Sequence, residues 1–393
     1  MNPSTPRIAV IGAGPGGLTC ARVLQRHGAP VTVFDRDPAA DAHPQGGTLV
    51  MRPHSGQRAL QEAGLDEQFR ALARPVGQET RLLDHTGTLL GRTPPPDEEP
   101  SPEIDRGELR RLLLDSLAPG TVHWGQYLRT LHPIGDGTHK AEFDDGHTAT
   151  FDLVIGADGA WSRVRPLLSD DTPHYSGVTF VEAGFDDADT RHPAVARLVG
   201  DGGMRALSGS KGLIAQRDGH GRIRVYAAFR GSQDWAAERG LSLDDTEAVR
   251  AALLETFAGW DGQLLALLRD NDGGFVNRPL FALPVPHTWP HTPGLTLLGD
   301  AAHLMTPLAG TGADLAMLDG CELALALTLP RSPEGGGGAA ITDQDAAVRA
   351  YEAAMLPRSA EAAESAARAL DDALTPDAPH GARHHLLRRF RHH

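Results

Sequence analysis

Residues 7–35 leave this chain little choice of architecture. Arg7-Ile8-Ala9-Val10-Ile11 is a short apolar run, expected as a buried parallel strand. Gly12-x-Gly14-x-x-Gly17 follows it directly. From Leu18 to Gly28 the apolar residues Leu18, Ala21, Val23 and Leu24 recur at helical spacing, and Gly28 is a natural stop. Val31-Thr32-Val33-Phe34 then reads as a second strand ending at Asp35, so the segment is a βαβ opening. In such a turn the first glycine allows the sharp bend and the second lets a pyrophosphate approach the backbone. The third lets helix and strand pack closely. The helix start adds free N–H groups and a partial positive charge. Asp35 can accept hydrogen bonds from both hydroxyls of an adenosine ribose. An ADP-containing dinucleotide is therefore expected, but this signature alone does not choose between NAD and FAD.

At 393 residues the chain has room for two or three domains. Its formal net charge of −14 argues against a nucleic-acid binder and against docking on anionic lipid. Two cysteines, Cys20 and Cys321, are too few for a disulfide framework or a cysteine zinc site, and both are expected as core thiols. The N-terminus lacks the apolar stretch of a signal peptide, and no 18-residue apolar run exists. A cytoplasmic protein without a membrane span is expected, as a monomer or weak homodimer.

Further along, residues 46–72 read as a loop followed by a helix from Ser55, and the Pro- and acid-rich residues 92–102 as a surface loop. A helix is expected from Glu108 to Leu117, and an apolar strand from Phe151 to Gly156. Alternation in residues 178–230, as in Ile223-Arg224-Val225-Tyr226-Ala227, predicts a half-exposed antiparallel sheet. Residues 242–270 read as helical, Leu295–Leu298 as a strand, and a helix begins near Thr311. Gly335–Gly338 lie in an expected linker over 331–343, Ala346–Leu374 in one long helix, and the basic tail His384–His393 in a solvated end.

Two more glycine-bearing segments follow apolar strands. One is Gly156-Ala157-Asp158-Gly159-Ala160-Trp161-Ser162-Arg163-Val164-Arg165. The other is Gly299-Asp300-Ala301-Ala302-His303, with Pro307-Leu308-Ala309-Gly310-Thr311-Gly312-Ala313 beyond it. With these three segments in this order, the sequence resembles the flavoprotein aromatic hydroxylases, single-component FAD monooxygenases with a hydroxybenzoate-hydroxylase-like fold. Within that group it is most similar to the Tet(X)-type enzymes that degrade tetracyclines. Gly46-Gly47-Thr48-Leu49, Pro102-Glu103-Ile104-Asp105-Arg106 with Leu109-Arg110, and Tyr351-Glu352-x-x-Met355 carry the likeness through nearly the whole chain.

The resemblance implies an α/β fold, with a Rossmann-like FAD domain over 1–78, 111–178 and 279–338. It implies a substrate domain with a mixed, mostly antiparallel sheet over 79–110 and 179–278, and a bracing C-terminal helix within 339–393. It implies that Gly12, Gly14 and Gly17 bind the FAD pyrophosphate region, that Asp35 holds the ribose and that Arg36 lies beside the adenine. The Leu128 backbone lines the adenine, and Arg106 reaches the flavin side. Asp158 serves FAD and, transiently, NADPH or NADH. Asp300 binds the ribityl or pyrophosphate part. Gly310, Gly312 and Ala313 face the flavin pyrimidine edge, and Pro307 shapes the wall near N5. A glycine-rich turn opening a helix suits the charge of reduced flavin, because it presents N–H donors and a positive dipole end.

In the chemistry so implied, NAD(P)H reduces FAD, O₂ adds at flavin C4a, and the hydroperoxide hydroxylates an electron-rich aromatic, indole or polyketide-like molecule. No catalytic side chain or metal is required. His303 reads as packing beneath the flavin rather than as a base. A second Gly-x-Gly-x-x-Gly and a redox cysteine pair, as in disulfide reductases, are absent, as is a halogenase tryptophan motif. The departures from Tet(X) concern the substrate. Val50 stands for an aspartate near the isoalloxazine, and His43 for an arginine implicated in NADPH binding. Glu182, Met204 (with Arg205 adjacent) and Arg224 stand for the tetracycline-contacting residues. Glu182, Arg205 and Arg224 are the substrate-pocket candidates. The alternatives are an FAD dehydrogenase, a Baeyer–Villiger or epoxidising oxygenase on the same scaffold, and a non-enzymatic FAD carrier.

Overall fold

A computed structural model describes residues 6–42, 46–74, 79–93, 101–328 and 344–379. The linker glycines, the histidine-rich tail and His43 lie outside the described residues. In chain order the elements begin β1 (Ile8–Ile11), α1 (Pro15–Arg26), β2 (Val31–Phe34), β3 (Thr48–Val50), α2 (Arg58–Glu62) and α3 (Asp66–Leu72). They continue β4 (Thr80–Leu83), β5 (Leu89–Thr93), β6 (Glu103–Asp105), α4 (Arg106–Asp115), β7 (Val122–His123), β8 (Leu128–Gly135), β9 (Thr138–Phe143), β10 (Thr148–Phe151) and β11 (Leu153–Gly156). Then come β12 (His174–Phe185), α5 (Ala188–Arg191), α6 (Pro193–Val199), β13 (Gly203–Ser208), β14 (Lys211–Arg217), β15 (Ile223–Arg230), α7 (Trp235–Glu238), α8 (Thr246–Thr256) and α9 (Gly262–Arg269). The last are β16 (Asp272–Ala282), β17 (Leu295–Leu297), α10 (Asp300–His303), α11 (Gly312–Thr328) and α12 (Gln344–Ala373).

The chain divides into two compact units. The first comprises 1–73, 104–174 and 282–364, and the second 74–103, 175–281 and 365–393. The C-terminal helix is thus shared out, its first part to one unit and its last residues to the other.

The first unit is built on a parallel sheet in the order β17-β11-β1-β2-β7. β1 and β11 are buried at every position, which is why they read as unbroken apolar runs rather than alternating ones. α1 starts at Pro15, three residues before the apolar spacing becomes visible. Gly16 and Gly17 lower helix propensity, yet they belong inside this helix. A Cβ on Gly16 would come within 2.6 Å of the Ala316 carbonyl oxygen, so the glycine is what lets α1 lie against α11. Cys20 and Cys321 are buried free thiols in these two helices, and burial pushes both thiol pKa values up.

Two stretches differ from the expectation. Residues 46–72 hold a strand, a wide turn and two helices broken at Gly64 (φ +67), rather than a loop and one helix. β8, β9 and β10 form an antiparallel three-stranded sheet that was not expected; its strands turn through Asp136-Gly137, both at positive φ.

The second unit carries the mixed sheet β16-β12-β15-β14-β13-β4-β5. Residues 242–270 are helical as expected, in two pieces. Asp245 caps α8 through Ala248 N at 3.0 Å, and Asp261 caps α9 through Gln263 N at 2.8 Å. Val181, Ala183, Ile223, Val225, Ala227 and Phe229 pack with Val249, Leu253, Leu264 and Leu268 from these helices. Side chains alternate along a strand, so Glu182, Arg224 and Tyr226 lie on the opposite side of the sheet.

Candidate cofactor and substrate sites

The three glycine-bearing segments meet in the first unit. Gly12 has φ +111, and a Cβ there would collide with the Ala157 carbonyl of the second segment. Gly17 leaves equally little room against the Gly12 carbonyl and the Ala157 side chain. The third segment arrives through Leu298 and Ala316, both against Gly16. Arg165 is buried and donates to Ala160 O at 2.6 Å and to Ala301 O at 3.1 Å, tying the second segment to the third. Gly14 behaves differently. A Cβ on it would meet nothing within 4 Å, so the floor of the cradle is open there.

Asp35 sits at the end of β2 beside this turn. Its carboxylate accepts from Ala13 N at 2.6 Å and from Asp37 N at 2.8 Å, which fixes it at the mouth of the glycine turn. Arg36 is exposed. The stretch leading into β8 closes this end: Gly125 N donates to Asp37 O at 2.7 Å and Gln126 N to Asp35 O at 2.8 Å, with Leu128 buried next in line. Arg110, quoted in the sequence for its motif alone, is buried here. It donates to Ala13 O at 3.3 Å and to Ala40 O, pairs with Asp37 at 3.6 Å, and lies 5.3 Å from the Trp124 ring centroid.

Asp158 accepts from Arg163 N at 2.6 Å through one oxygen. Its Oδ1 is buried without a hydrogen-bond partner among the described residues. Burial pushes this carboxyl above its usual range, against the hydrogen bonds from Ser162 and Arg163. Asp300 is reached by solvent yet surrounded by protein, as a group lining a recess is. That crowding raises its pKa, with the charges of His303 and Arg106 opposing. Arg106 therefore lies within electrostatic reach of Asp300, and a Cβ on Gly312 would stand 3.8 Å from Asp300 Oδ1. Gly310, at φ +62, faces open space, and Pro307 is exposed on the same turn. Gly312 and Ala313 form the first turn of α11.

Beneath that turn lies a cluster that the sequence did not reveal. Asp314 is buried and accepts from Ser55 Oγ, Gly56 N at 2.8 Å and Arg52 N at 3.1 Å. Arg52 also donates to Gly310 O at 2.9 Å and Ala309 O at 3.3 Å, holding the turn down. Val50, two residues before it, is half-buried on β3. His303 is buried, with Nε2 2.6 Å from Asp319 Oδ2. Asp319 also accepts from Gly299 N at 3.2 Å and from Arg358 at 2.9 Å. His303 is thus a buried partner of a carboxylate, and Asp319 and Arg358 are positioning residues for the Gly299 turn. No sequence motif pointed to either one; each lies far along the chain from that turn.

In the second unit, register decides what the sheet's open face presents. Glu182 pairs with Tyr226, Tyr226 with Ile214, and Ile214 with Arg205. These four form one row across β12, β15, β14 and β13. Glu182 is held between Arg224 and Arg278, and Arg224 also reaches Asp218 at 3.2 Å. Burial raises the Tyr226 phenol pKa, and its hydroxyl has no hydrogen-bond partner among the described residues. Met204, which the resemblance aligned with a substrate contact, is fully buried in the helix-side core instead. One step in register moves a side chain to the other face, and Arg205 occupies the open one.

The described residues include no group of histidine, cysteine or carboxylate side chains suited to hold a metal, and no helix long and apolar enough to cross a membrane. A glycine cradle with an open floor at Gly14, an acid at the end of β2 and an orphaned buried carboxylate oxygen on Asp158 suits a dinucleotide. The comparisons with known proteins agree. A family model described as FAD binding domain matches residues 5–253. The monooxygenase asqM of Emericella nidulans is 32% identical over 416 residues, covering 91% of this chain and 93% of the relative. The 3-amino-4-hydroxybenzoate 2-monooxygenase PtnB3 of Streptomyces platensis is 33% identical over 366 residues, covering 91% and 85%. Among solved structures, Klebsiella pneumoniae HpxO complexed with FAD and uric acid superposes with a TM-score of 0.79 at 21% identity, covering 98% of this chain and 92% of that one. The chain belongs to the FAD-dependent monooxygenases with this FAD-binding domain, and FAD is its cofactor.

Proposed function

We propose that this protein uses NAD(P)H and O₂ to hydroxylate an electron-rich polycyclic aromatic, indole or polyketide-like molecule, in the making or the inactivation of an antibiotic. The carrying observation is the meeting of three glycine-bearing segments around the open position at Gly14. When bound, FAD supplies the redox and oxygen-transfer chemistry. The chain's own part is to bind, orient and exclude water.

Gly12, Gly14 and Gly17 take the pyrophosphate at the start of α1. Asp35 takes the ribose hydroxyls, with Arg36 and the Leu128 backbone beside the adenine. Asp158 serves this cofactor and the transient reductant. Asp300 meets the ribityl or phosphate part. Arg106 lies on the flavin side. Gly312 and Ala313, in the first turn of α11, direct backbone N–H groups at the pyrimidine edge; Gly310, whose own N–H is spent on Pro307 O, faces the same edge without a side chain, with Pro307 as the adjoining wall. Asp300→Ala is expected to leave the purified protein colourless, whereas a variant that keeps a full complement of FAD would remove Asp300 from the site.

The substrate end is read from the open sheet face. Glu182 and Arg205 lie three strands apart in one row, roughly 14 Å at the usual strand spacing. Tyr226 and Ile214 form the floor between them. Such a span accommodates fused rings, with Glu182, Arg205 and Arg224 at the polar ends and the Tyr226 hydroxyl ready to bond a ring oxygen. PtnB3 is named for an aromatic substrate, which supports the same class.

The deciding experiment follows NAD(P)H oxidation under air with and without a panel of aromatic compounds. Consumption stimulated by one of them, with a product about 16 Da heavier, is expected. A desaturated product without oxygen would make the protein a dehydrogenase, and no turnover with any reductant a carrier. Tetracycline is expected to be a poor substrate, because Glu182, Met204 and Arg224 replace the residues that contact it in Tet(X)-type enzymes. A ligand polar group left without its partner costs about 1–3 kcal/mol, so kcat/KM for tetracycline should fall about 100-fold or more below that of an accepted substrate. Comparable turnover of the two would refute this reading of the face.

A further inference from the structure

We propose that a cleft on the helix-covered side of the second unit is a binding site for a small organic oxyanion, a flat apolar body bearing a carboxylate or phosphate. The cleft lies between α6, α9 and the β4–β5 hairpin, and its volume is about 630 Å³. That is within the usual range for drug-sized ligands. The inference is independent of the proposed function, since Leu83 and Val195 at its base belong to the helix-side core and the Glu182–Arg205 row faces the other way.

Four arginines converge on this cleft in a chain whose net charge is −14: Arg81, Arg92, Arg197 and Arg269. Their roles differ. Arg81 is fixed in place. It donates to Arg197 O at 2.8 Å and Leu198 O at 3.1 Å at the end of α6, and pairs with Glu79 at 3.0 Å. A side chain at Gly200 would strike its guanidinium. Arg92 reaches the same Glu79 at 3.6 Å. Arg269 is gripped by its exposed chain neighbour Asp270 through two hydrogen bonds, 2.9 and 3.1 Å. Arg197 is exposed, and its guanidinium has no partner among the described residues. Four cations thus face two carboxylates, Glu79 and Asp270; Asp270 is taken up by Arg269 and Glu79 chiefly by Arg81, so Arg92 and Arg197 are the two with charge to offer.

The walls are apolar. Leu89 is 44% exposed on the hairpin, and Leu198 and Ala266 face the same space. A bare inorganic anion would leave these surfaces wet. A neutral hydrocarbon would leave the guanidinium groups unanswered. Guanidinium forks over an apolar floor match a planar body ending in a carboxylate or phosphate, which they can grip through two hydrogen bonds at once.

The test uses the full-length, FAD-loaded protein and calorimetric titration with 2-naphthoate, 2-naphthyl phosphate, the neutral 2-naphthamide and inorganic phosphate. One equivalent of 2-naphthoate or 2-naphthyl phosphate should bind saturably, and the tighter of the two identifies the head group. Affinity should fall at least about tenfold for 2-naphthamide, for inorganic phosphate and for the double variant Arg92→Gln/Arg197→Gln. It should also weaken between about 0.05 M and about 0.5 M salt. Arg224→Gln, on the opposite face, should leave it unchanged. The proposal is overturned if neither naphthyl anion binds saturably, if the double variant binds as wild type, or if inorganic phosphate binds equally well. It is also overturned if Arg224→Gln abolishes binding, which would place the ligand on the substrate face. Loss of FAD or of turnover would leave this titration untouched, so its failure and that of the proposed function are separable.

Discussion

Gly14→Ala is expected to leave the fold standing and to cost the protein its cofactor. Gly14 has φ −79 and ψ 174, an extended conformation any residue adopts, so alanine brings no backbone strain. Its new methyl would touch nothing within 4 Å. The apoprotein should therefore unfold within a few degrees of wild type. The same methyl would stand where the second glycine of the turn lets a pyrophosphate reach the backbone. It would force the phosphates off the N–H groups at the start of α1, and FAD affinity should fall about 100-fold, the loss of one or two charge-assisted hydrogen bonds. Gly17→Ala is the contrasting variant. Its methyl would be driven into the Gly12 carbonyl and within 3.1 Å of Val10 Cγ1, so it should lower the stability of the apoprotein itself. Absorbance of bound flavin and thermal melting of the apoprotein, measured on both variants, separate the two effects. A Gly14→Ala protein that purifies fully yellow with wild-type affinity would mean that the pyrophosphate does not cross this turn.

That contrast explains which parts of the molecule could be read from the sequence. The glycine turn is a local device. Strand, turn, helix and acid lie within residues 7–35, and the spacing alone places them. The fully buried strands β1 and β11 were legible for the same reason, as unbroken apolar runs. Alternation in β15 was legible too, and it correctly separates Arg224 and Tyr226 from Val225 and Ala227. What it could not supply is register between strands. Without register, Met204 and Arg205 are interchangeable, and only the pairing of Arg205 with Ile214 puts Arg205 on the open face. The short elements of residues 48–72 were hidden because three- to seven-residue pieces show no period. Arg52, Asp314, Asp319 and Arg358 were hidden because their purpose lies in partners far along the chain. Asp314 in particular reads as an ordinary acid in the first turn of a helix, whereas it is buried and holds Ser55 and Gly56.

Asp319→Asn should destabilise the first unit by about 3–5 kcal/mol, the usual cost of stripping one partner from a buried charged set. Asp319 is 1% exposed, and every group around it donates: Gly299 N, His303 Nε2 and the Arg358 guanidinium. Asparagine has one acceptor oxygen and must turn its own NH₂ toward one of these donors. The pH dependence identifies the mechanism. Burial opposes charge on both members of the pair, but their attraction outweighs it, raising the His303 pKa and, with help from Arg358, lowering that of Asp319. A raised histidine contributes stability that is complete below its unfolded value of about 6.5 and is lost as pH climbs through the folded value. A depressed aspartate contributes stability present above its unfolded value of about 3.9 and lost as pH falls through the folded value. The gap in urea midpoint between wild type and Asp319→Asn should therefore be widest between about pH 4 and about pH 6.5 and should narrow on both sides. The buried Nδ1 of His303, without a partner among the described residues, restrains how far the alkaline side extends. FAD should also bind more weakly in the variant, because one uncharged amide oxygen now serves donors that had two charged ones, and the Gly299 turn carrying Asp300 is held less firmly. A gap that stays constant from about pH 3 to about pH 9 would show that Asp319 acts by packing alone, and unchanged FAD affinity would detach it from the cofactor turn.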